Sequence, residues 1–344
     1  MAAINLLGID FGASYVRIYD PDSGNMYIEE PAVMALNIDG DVAPEVGTRA
    51  YHMLGREPMG LEVIRPIING SVPRMEVFRA LLIYFFKTAL NQGKGLFKRP
   101  RVLISVSWRP TVMEERQIVR SLLEAGARRV QLIARPLAAA VGAGVDVLGQ
   151  RARLVIDIGA DSSHPAVISR GRVQDIRGIE PFFGGDGFSK AIYDYVKTTK
   201  AVLGPQTLEL IKKDYGTMVD GEEAVQVVRG QNPLTGMPVE ITLSKTELDE
   251  ALTPAIDLFV QEVKSMIQTV VAPEIASDIY ENGLLLTGGG AHLDLIAREI
   301  SERLKLECQV PTNAEACVAI GCGRILQNLD RFNPLLTSSK QKRG

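Results

Sequence analysis

The sequence predicts an α/β protein of two duplicated lobes, each a β-sheet flanked by helices, around a central cleft. Three observations carry this. A chain of 344 residues exceeds what one hydrophobic core usually organises. An apolar strand, an aspartate, a small-residue turn and a second strand occur at residues 4–19 and again at 153–169, as an internal duplication would leave them. Between and after these hairpins, short apolar strands alternate with segments of helical period. The 46% hydrophobic and 23% charged shares are those of a globular protein and exclude disordered, collagenous and coiled-coil classes. A net charge of −3 supplies no bulk basic field, so no nucleic-acid partner is expected.

The first lobe is placed at 1–150. Its opening run Ile4 to Ile9 leads into Asp10-Phe-Gly-Ala-Ser14, and Tyr15 to Tyr19 returns as the second strand of a hairpin. Residues 31–74 are polar and punctuated by Gly and Pro, which predicts a small inserted subdomain. Val77, Phe78, Leu81, Leu82, Phe85 and Phe86 recur at helical spacing, so 75–90 is a helix. Asn91 to Pro100 is a loop by its glycines and proline. A strand at 101–107, a helix at 113–125, a strand at 130–133 and a small-residue helix from Pro136 to Gly144 close the lobe.

The second lobe is placed at 151–330. Leu154-Val-Ile-Asp157-Ile-Gly-Ala-Asp-Ser-Ser-His164 repeats the opening pattern. Its second strand is placed at Ala166 to Ser169, because Pro165 lacks a ladder N–H. Residues 184–244 form a second insertion with a hairpin over 227–243 turned at Asn232 to Gly236. A helix at 245–271, a strand at 283–287, the run Gly288-Gly-Gly290, a helix at 293–304 and a last helix at 314–326 follow, and 331–344 is a polar tail.

Cys308, Cys317 and Cys322 are too few and too bunched for a disulfide framework and include no CxxC, which points to a reducing cytoplasm. Three histidines without HExxH offer no zinc-ligand pattern. The N-terminus lacks the charged and long apolar regions of a signal peptide, and no run of eighteen apolar residues predicts a membrane-spanning helix.

A small-residue turn between two strands exposes successive backbone N–H groups that can cradle phosphate oxygens. An aspartate at the end of each first strand, Asp10 and Asp157, suits Mg²⁺ held through water. One such turn alone is equally an Asx-bonded structural turn; a pair at equivalent places in two lobes favours the phosphate reading. Thr287-Gly-Gly-Gly290, after a buried strand and before a helix, fits close approach of backbone to a ligand ring or ribose.

In order along the chain stand the Asp10-Phe-Gly12 hairpin, Pro136-Leu-Ala-Ala-Ala-Val-Gly-Ala-Gly144, the Asp157-Ile-Gly159 hairpin, Gly184-Gly-Asp186, Leu286-Thr-Gly-Gly-Gly290 and Ala319-Ile-Gly-Cys-Gly323. This series resembles the actin, Hsp70 and sugar-kinase superfamily, and within it the MreB family of bacterial actins. Ile64-Arg-Pro-Ile-Ile-Asn-Gly70, Leu123 to Arg129 and Val227 to Gly236 extend the likeness over about residues 6–326. The resemblance implies an actin-like ATPase fold of four subdomains, ATP with Mg²⁺ in the cleft, and polymerisation of the chain with itself into protofilaments. It further implies attachment to the inner face of the cytoplasmic membrane and a role in cell shape or cell-wall synthesis, with shape or wall-synthesis proteins as partners. By that likeness Gly12, Ala13 and Ser14 line the first phosphate turn, with Tyr15 beside them, and Gly159, Ala160 and Ser162 line the second. Gly184, Gly185 and Asp186 join the cofactor-binding set, and Gly288, Gly289 and Gly290 take the adenosine side. Glu209 and Lys212 match positions near the ribose and base, although an ordinary i,i+3 surface pair has the same spacing. Asp10 and Asp157 are the expected metal carboxylates, and Asp157, Asp161 and His164 the expected catalytic groups.

Several positions depart from the family pattern. Ala134-Arg135 stands before Pro136 where a glutamate usually orients the attacking water, and an arginine cannot serve as that base. Ala13 replaces a threonine, Ala160 and Asp161 replace glycines, and Ser162-Ser163 replace threonines; Asp161 is then expected to face metal, Arg135 or solvent. His164 replaces a glutamate at a place where actins carry a histidine near the catalytic water. Ser107-Trp-Arg-Pro110 replaces a small-residue turn. Nucleotide binding with slow or impaired hydrolysis is therefore expected. The alternatives are a small-molecule kinase of the same superfamily, which would lack its carboxylate before Pro136, and an actin-like adaptor that binds little nucleotide. Leu96 and Phe97, on a glycine-flexed tip with Lys94, Lys98, Arg99 and Arg101, suit insertion into an anionic membrane face, unless they fold back into the core.

Overall fold

A computed structural model describes residues 6–37, 42–92, 99–106, 111–174, 182–215, 225–270, 272–333 and 336. The chain opens on β1 (Leu6–Phe11), β2 (Tyr15–Asp20) and β3 (Asn25–Pro31). A small three-stranded sheet of β4 (Met34–Asn37), β5 (Val42–Val46) and β6 (Leu61–Ile64) carries the short helix α1 (Thr48–Met53). Then follow α2 (Met75–Gln92), β7 (Arg101–Val106), α3 (Val112–Glu124), β8 (Arg129–Ala134) and α4 (Arg135–Gly142). The second half begins with β9 (Arg153–Ile158), β10 (Ser162–Ser169), β11 (Arg172–Val173) and β12 (Phe182–Phe183), and continues with α5 (Gly185–Thr199), α6 (Pro205–Tyr215) and the hairpin β13 (Val225–Gln231) and β14 (Pro238–Ser244). It closes with α7 (Lys245–Ser265), α8 (Pro273–Asn282), β15 (Leu284–Thr287), α9 (Asp294–Leu304), β16 (Cys308–Gln309), α10 (Cys317–Gln327) and α11 (Leu329–Phe332).

The duplication is visible in the backbone. One sheet runs β3-β2-β1-β7-β8 and the other β11-β10-β9-β15-β16, with β12 also beside β10. In each, an antiparallel hairpin leads into two parallel strands, β7 and β8 after β1, and β15 and β16 after β9. Asp10 and Asp157 thus end equivalent strands, on the carboxyl side where open parallel sheets bind ligands. This is an actin-like fold of mixed sheets flanked by helices.

Three large cores hold it, beside a small one of Val33, Ala35 and Ala50 under the three-stranded sheet. One packs β1, β2 and β7 against Val77, Phe78, Leu81, Leu82, Phe85 and Phe86 of α2, the face whose spacing predicted that helix. A second joins β9 and β15 to α5, α7 and α9. The third belongs to neither sheet alone: Leu103 and Ile133 meet Val155, Ala166 and Leu285 through α4 and α10. This shared core makes one bilobal body. Among the described residues, no helix is long and apolar enough to cross a membrane.

Three elements differ from expectation. β10 begins at Ser162 and runs through Pro165, which lies opposite Ile156. Gly159 N donates to Ser162 O, and hydrogen-bonded pairs alternate along an antiparallel ladder, so the Pro165 nitrogen faces away from β9 and no bond to that strand is lost. α8 occupies a stretch with no predicted element, although Pro273 at its first position and Gly283 at φ 75° just beyond it are ordinary start and stop signals. The helix predicted at 245–271 is α-helical only to Ser265 and continues as one π-turn, Met266–Val270.

Candidate functional site

A cavity of about 720 Å³ opens where the two hairpins meet. The turns are built alike. Gly12 N donates to Tyr15 O at 2.9 Å, and Gly159 N donates to Ser162 O at 3.0 Å, which leaves Ala13-Ser14 and Ala160-Asp161 as the two tips. A Cβ at Gly159 would meet the Ser162 carbonyl at 2.8 Å, so that closure requires glycine, and one at Gly12 would crowd the Tyr15 carbonyl at 3.0 Å. Gly288, at φ 83°, brings the third glycine run onto the end of β9; a Cβ there would lie 2.3 Å from the Ile158 oxygen.

The cavity brings together most of the predicted residues: Asp10, Gly12, Ala13, Ser14 and Tyr15; Gly159, Ala160, Asp161, Ser162 and His164; Gly185, Glu209 and Lys212; and Gly288, Gly289 and Gly290. Three predicted residues stand outside the lining. Asp157 is fully buried behind it. Gly184 backs the second turn, and Asp186 pairs with Arg65 of the first insertion at 2.9 Å. The N–H groups of Gly185 and Asp186 donate to the Gly159 and Ala160 carbonyls, so the start of α5 braces that turn. Glu209 and Lys212 form an i,i+3 pair at 2.8 Å that also lines the cavity, with Lys212 Nζ donating to Gly185 O at 3.0 Å. Leu96, Phe97, Lys98 and the 107–110 turn lie outside the described residues, while Arg99 Nε donates to Gly126 O at 3.4 Å.

The expected metal carboxylates hold Arg135. Its Nε donates to Asp157 Oδ2 at 2.5 Å, Nη2 to Asp10 Oδ2 at 3.2 Å, and Nη1 to Asp10 Oδ1. Ser105 Oγ reaches Asp10 Oδ1 at 3.2 Å and Thr287 Oγ1 reaches Asp157 Oδ1 at 2.9 Å, so every oxygen of both carboxylates already accepts a hydrogen bond. Burial pushes the Asp157 carboxyl up, but the charge and hydrogen bond of Arg135, with His164 and Thr287, outweigh it and hold it below the usual carboxylate range. Burial opposes the Arg135 charge in the same way, and Asp10 and Asp157 overcome it. Magnesium needs oxygen lone pairs and room for several of its own waters. Asp10 and Asp157, 1% and 0% exposed beneath a guanidinium, leave no room for those waters, and no cluster of three or more His, Cys, Asp or Glu suited to a metal occurs among the described residues. The residues present do not fit the expected Mg²⁺.

Asp161 departs from its expected surroundings. Its Oδ2 accepts the Gly70 N–H at 2.9 Å, across the cleft from the first insertion, and its Oδ1 accepts the Ser162 hydroxyl at 2.8 Å. That hydroxyl has a single hydrogen, so toward His164 Nε2, 3.1 Å away, it accepts. The proton therefore sits on Nε2, and Nδ1 is a buried lone pair without a partner. Burial first, then the Arg135 charge, holds the imidazole below its usual value and so neutral. Sequence reasoning missed Arg17, Lys213 and the His292–Glu315 pair (2.6 Å), all of which line the cavity. It also missed the direction of Arg135, which no spacing encodes.

Fold and cleft together define an actin-like protein. The chain belongs to the MreB/Mbl protein family, whose pattern it matches over residues 4–334. The cell shape-determining protein Mbl of Bacillus subtilis (strain 168) is 34% identical over 328 residues, 95% of this chain and 97% of that protein. The cell shape-determining protein MreB of Escherichia coli (strain K12) is 36% identical over 332 residues, 95% and 94% of the two chains. MreB 5 of Spiroplasma citri bound to AMPPNP shares the fold with a TM-score of 0.84 at 24% identity, covering 96% of this chain and 98% of that one. A subunit of the MamK double helical filament shares it with a TM-score of 0.74 at 15% identity, covering 94% and 98%.

Proposed function

We propose that this chain is a cytoskeletal protein of cell-shape determination that binds an adenine nucleotide in the cleft, assembles into filaments of itself and hydrolyses ATP slowly. One observation carries the reading: two identically closed glycine turns and a third glycine run converge on one cavity large enough for a nucleotide. Family membership supports it, as do relatives solved with AMPPNP and ADP and a relative solved as a filament. The lobes are read as 1–150 and 151–330, with insertions at 31–74 and 184–244 and a tail at 331–344. Slow hydrolysis follows from the chemistry of the lining. Arg135 stands where the water-orienting acid would be, Asp157 is sealed behind it, and Asp161 is occupied by Gly70 and Ser162. His164 lines the cavity and is neutral, but its unprotonated Nδ1 is buried, so it is poorly placed to take a proton from water.

Sedimentation and electron microscopy with ATP, with ADP and without nucleotide test the assembly. Nucleotide-dependent filaments are expected, with phosphate release lagging far behind polymer formation; a strictly monomeric protein at tens of micromolar in every condition would refute it. The Arg135 pairing also favours a second reading, an adaptor, because both carboxylates are already occupied by a cation from within the protein. Absence of any ADP or ATP affinity at millimolar concentration selects that reading.

The membrane surface is part of the same proposal. Leu96 and Phe97 among basic residues would enter an anionic leaflet, each weakly, and a filament would multiply them by avidity. Replacing both, Leu96→Ser with Phe97→Ser, is expected to abolish co-sedimentation with anionic liposomes while leaving filaments intact. Unchanged lipid binding would remove the loop from the proposal.

A further inference from the structure

We infer that Arg135 is a resident counter-ion standing where a divalent metal would be, so that this cleft binds the polyphosphate of a nucleotide without magnesium. The inference rests on the nucleotide reading above and gives its electrostatics. A guanidinium has five N–H donors, and three of Arg135's are spent on Asp10 and Asp157. One N–H on Nη1 and one on Nη2 remain. Both nitrogens lie 3.9 Å from where a Cβ on Gly12 would be, so the guanidinium lies against the first turn, with its two unspent N–H groups on opposite sides of it. The side chain is 13% exposed, lines the cavity, and is locked by Asp10 across Nη1 and Nη2 and by Asp157 at Nε, so its charge is held in one place at the cavity wall.

Charge and geometry both disfavour adding a metal to this arrangement. A divalent ion at the carboxylates would have to displace a buried cation that satisfies three of their four oxygens, while Ser105 and Thr287 hold the remaining interactions. Arg135 compensates one of the two negative charges where magnesium would compensate both, so what it offers the phosphates is its own unspent N–H groups rather than a net positive site.

The test uses the full chain and ADP as probe, titrated calorimetrically in excess EDTA and in millimolar MgCl2. The two dissociation constants are expected to agree within about threefold. A loss of about tenfold or more in EDTA would overturn the inference. Mn²⁺ titrated into the nucleotide-free protein and followed by electron paramagnetic resonance is expected to remain free; one tightly bound ion per chain would likewise overturn it. Arg135→Gln, if it folds, is expected to make ADP binding depend on Mg²⁺ by about tenfold or more; equal binding in EDTA and MgCl2 by that variant would remove Arg135 from the role. The wild-type titrations stand whether or not it folds. No ADP binding in either buffer would refute the nucleotide reading itself, an outcome set apart by failure of the magnesium arm as well.

Discussion

Replacing Arg135 with methionine should destabilise the protein by about 3–5 kcal/mol at neutral pH, although the new side chain is apolar and of similar reach. The cause is what remains behind: Asp10 and Asp157, 1% and 0% exposed, would face each other without their shared cation. The pH dependence carries the sign. In the wild type, Arg135 overcomes burial and holds the Asp157 carboxyl below its unfolded value of about 4, so that group's stabilisation is present above about pH 4 and is lost as pH falls through the lower folded value. In the variant the largest compensating cause is gone and only His164 and Thr287 still oppose burial, so the folded value rises. The contribution is then fully present below about pH 4 and is lost as pH rises through the raised one. His164 moves in the same direction, since the Arg135 charge is one of the causes holding it down and Asp157, Asp161 and Asp10 pull it up. Urea denaturation should show the deficit of Arg135→Met shrinking from about pH 7 to about pH 5. The combined variant Asp10→Asn, Arg135→Met, Asp157→Asn should recover most of the loss, because it removes the buried charges together. A deficit under about 1 kcal/mol, flat with pH, would mean that water or a neighbouring cation reaches the carboxylates.

The same triad explains where sequence reading succeeds and where it stops. The two hairpins, the α2 face and the hairpin of β13 and β14 are local: apolar period and turn residues determine them within a dozen positions, and the structure has them within one to four residues of the expected bounds. The converging glycine turns were legible because a tight closure excludes side chains wherever it occurs. Arg135 was legible as a departure from the family pattern, but its partners lie 125 and 22 residues away, and a side chain's direction depends on how α4 seats between the two sheets. Asp161 is the same case. Its Gly70 partner is 91 positions distant, on an insertion whose approach to the cleft no periodicity reveals. Pro165 misled for the opposite reason: the rule that proline interrupts a ladder is sound, but on alternate residues of an antiparallel strand the nitrogen faces away from that partner.

Gly321→Val is expected to cost about 3 kcal/mol or more and to weaken nucleotide binding with it. Gly321 lies on α10 where that helix crosses α4. A Cβ there would stand 1.8 Å from the Ala138 carbonyl oxygen and 2.8 Å from the Gly142 nitrogen, and a Cβ at Gly142 would stand 1.8 Å from the Cys317 oxygen. These obstacles are backbone, so no rotamer relieves them and the helices must part by about 1 Å or more. The core that joins the two sheets sits at this crossing, with Leu137, Ala138, Val318, Cys322 and Ile325 fully or nearly buried, so parting the helices opens a gap between lobes. α10 is also fixed to β1: a Cβ at Gly8 would meet the Ala319 oxygen at 2.4 Å. The helix cannot retreat toward β1, and α4 must move. Because α4 begins at Arg135 and β1 carries Asp10, the displacement draws the guanidinium off its carboxylate. Gly289→Ala serves as the control for glycine replacement as such, since a Cβ there meets nothing within 4 Å, and its stability should stay within about 0.5 kcal/mol of wild type. Thermal unfolding and ADP titration should therefore fall together in Gly321→Val. If the variant melts early yet binds ADP as the wild type does, then α4 yields at its far end, and the first turn of the helix holds Arg135 in place without support from α10.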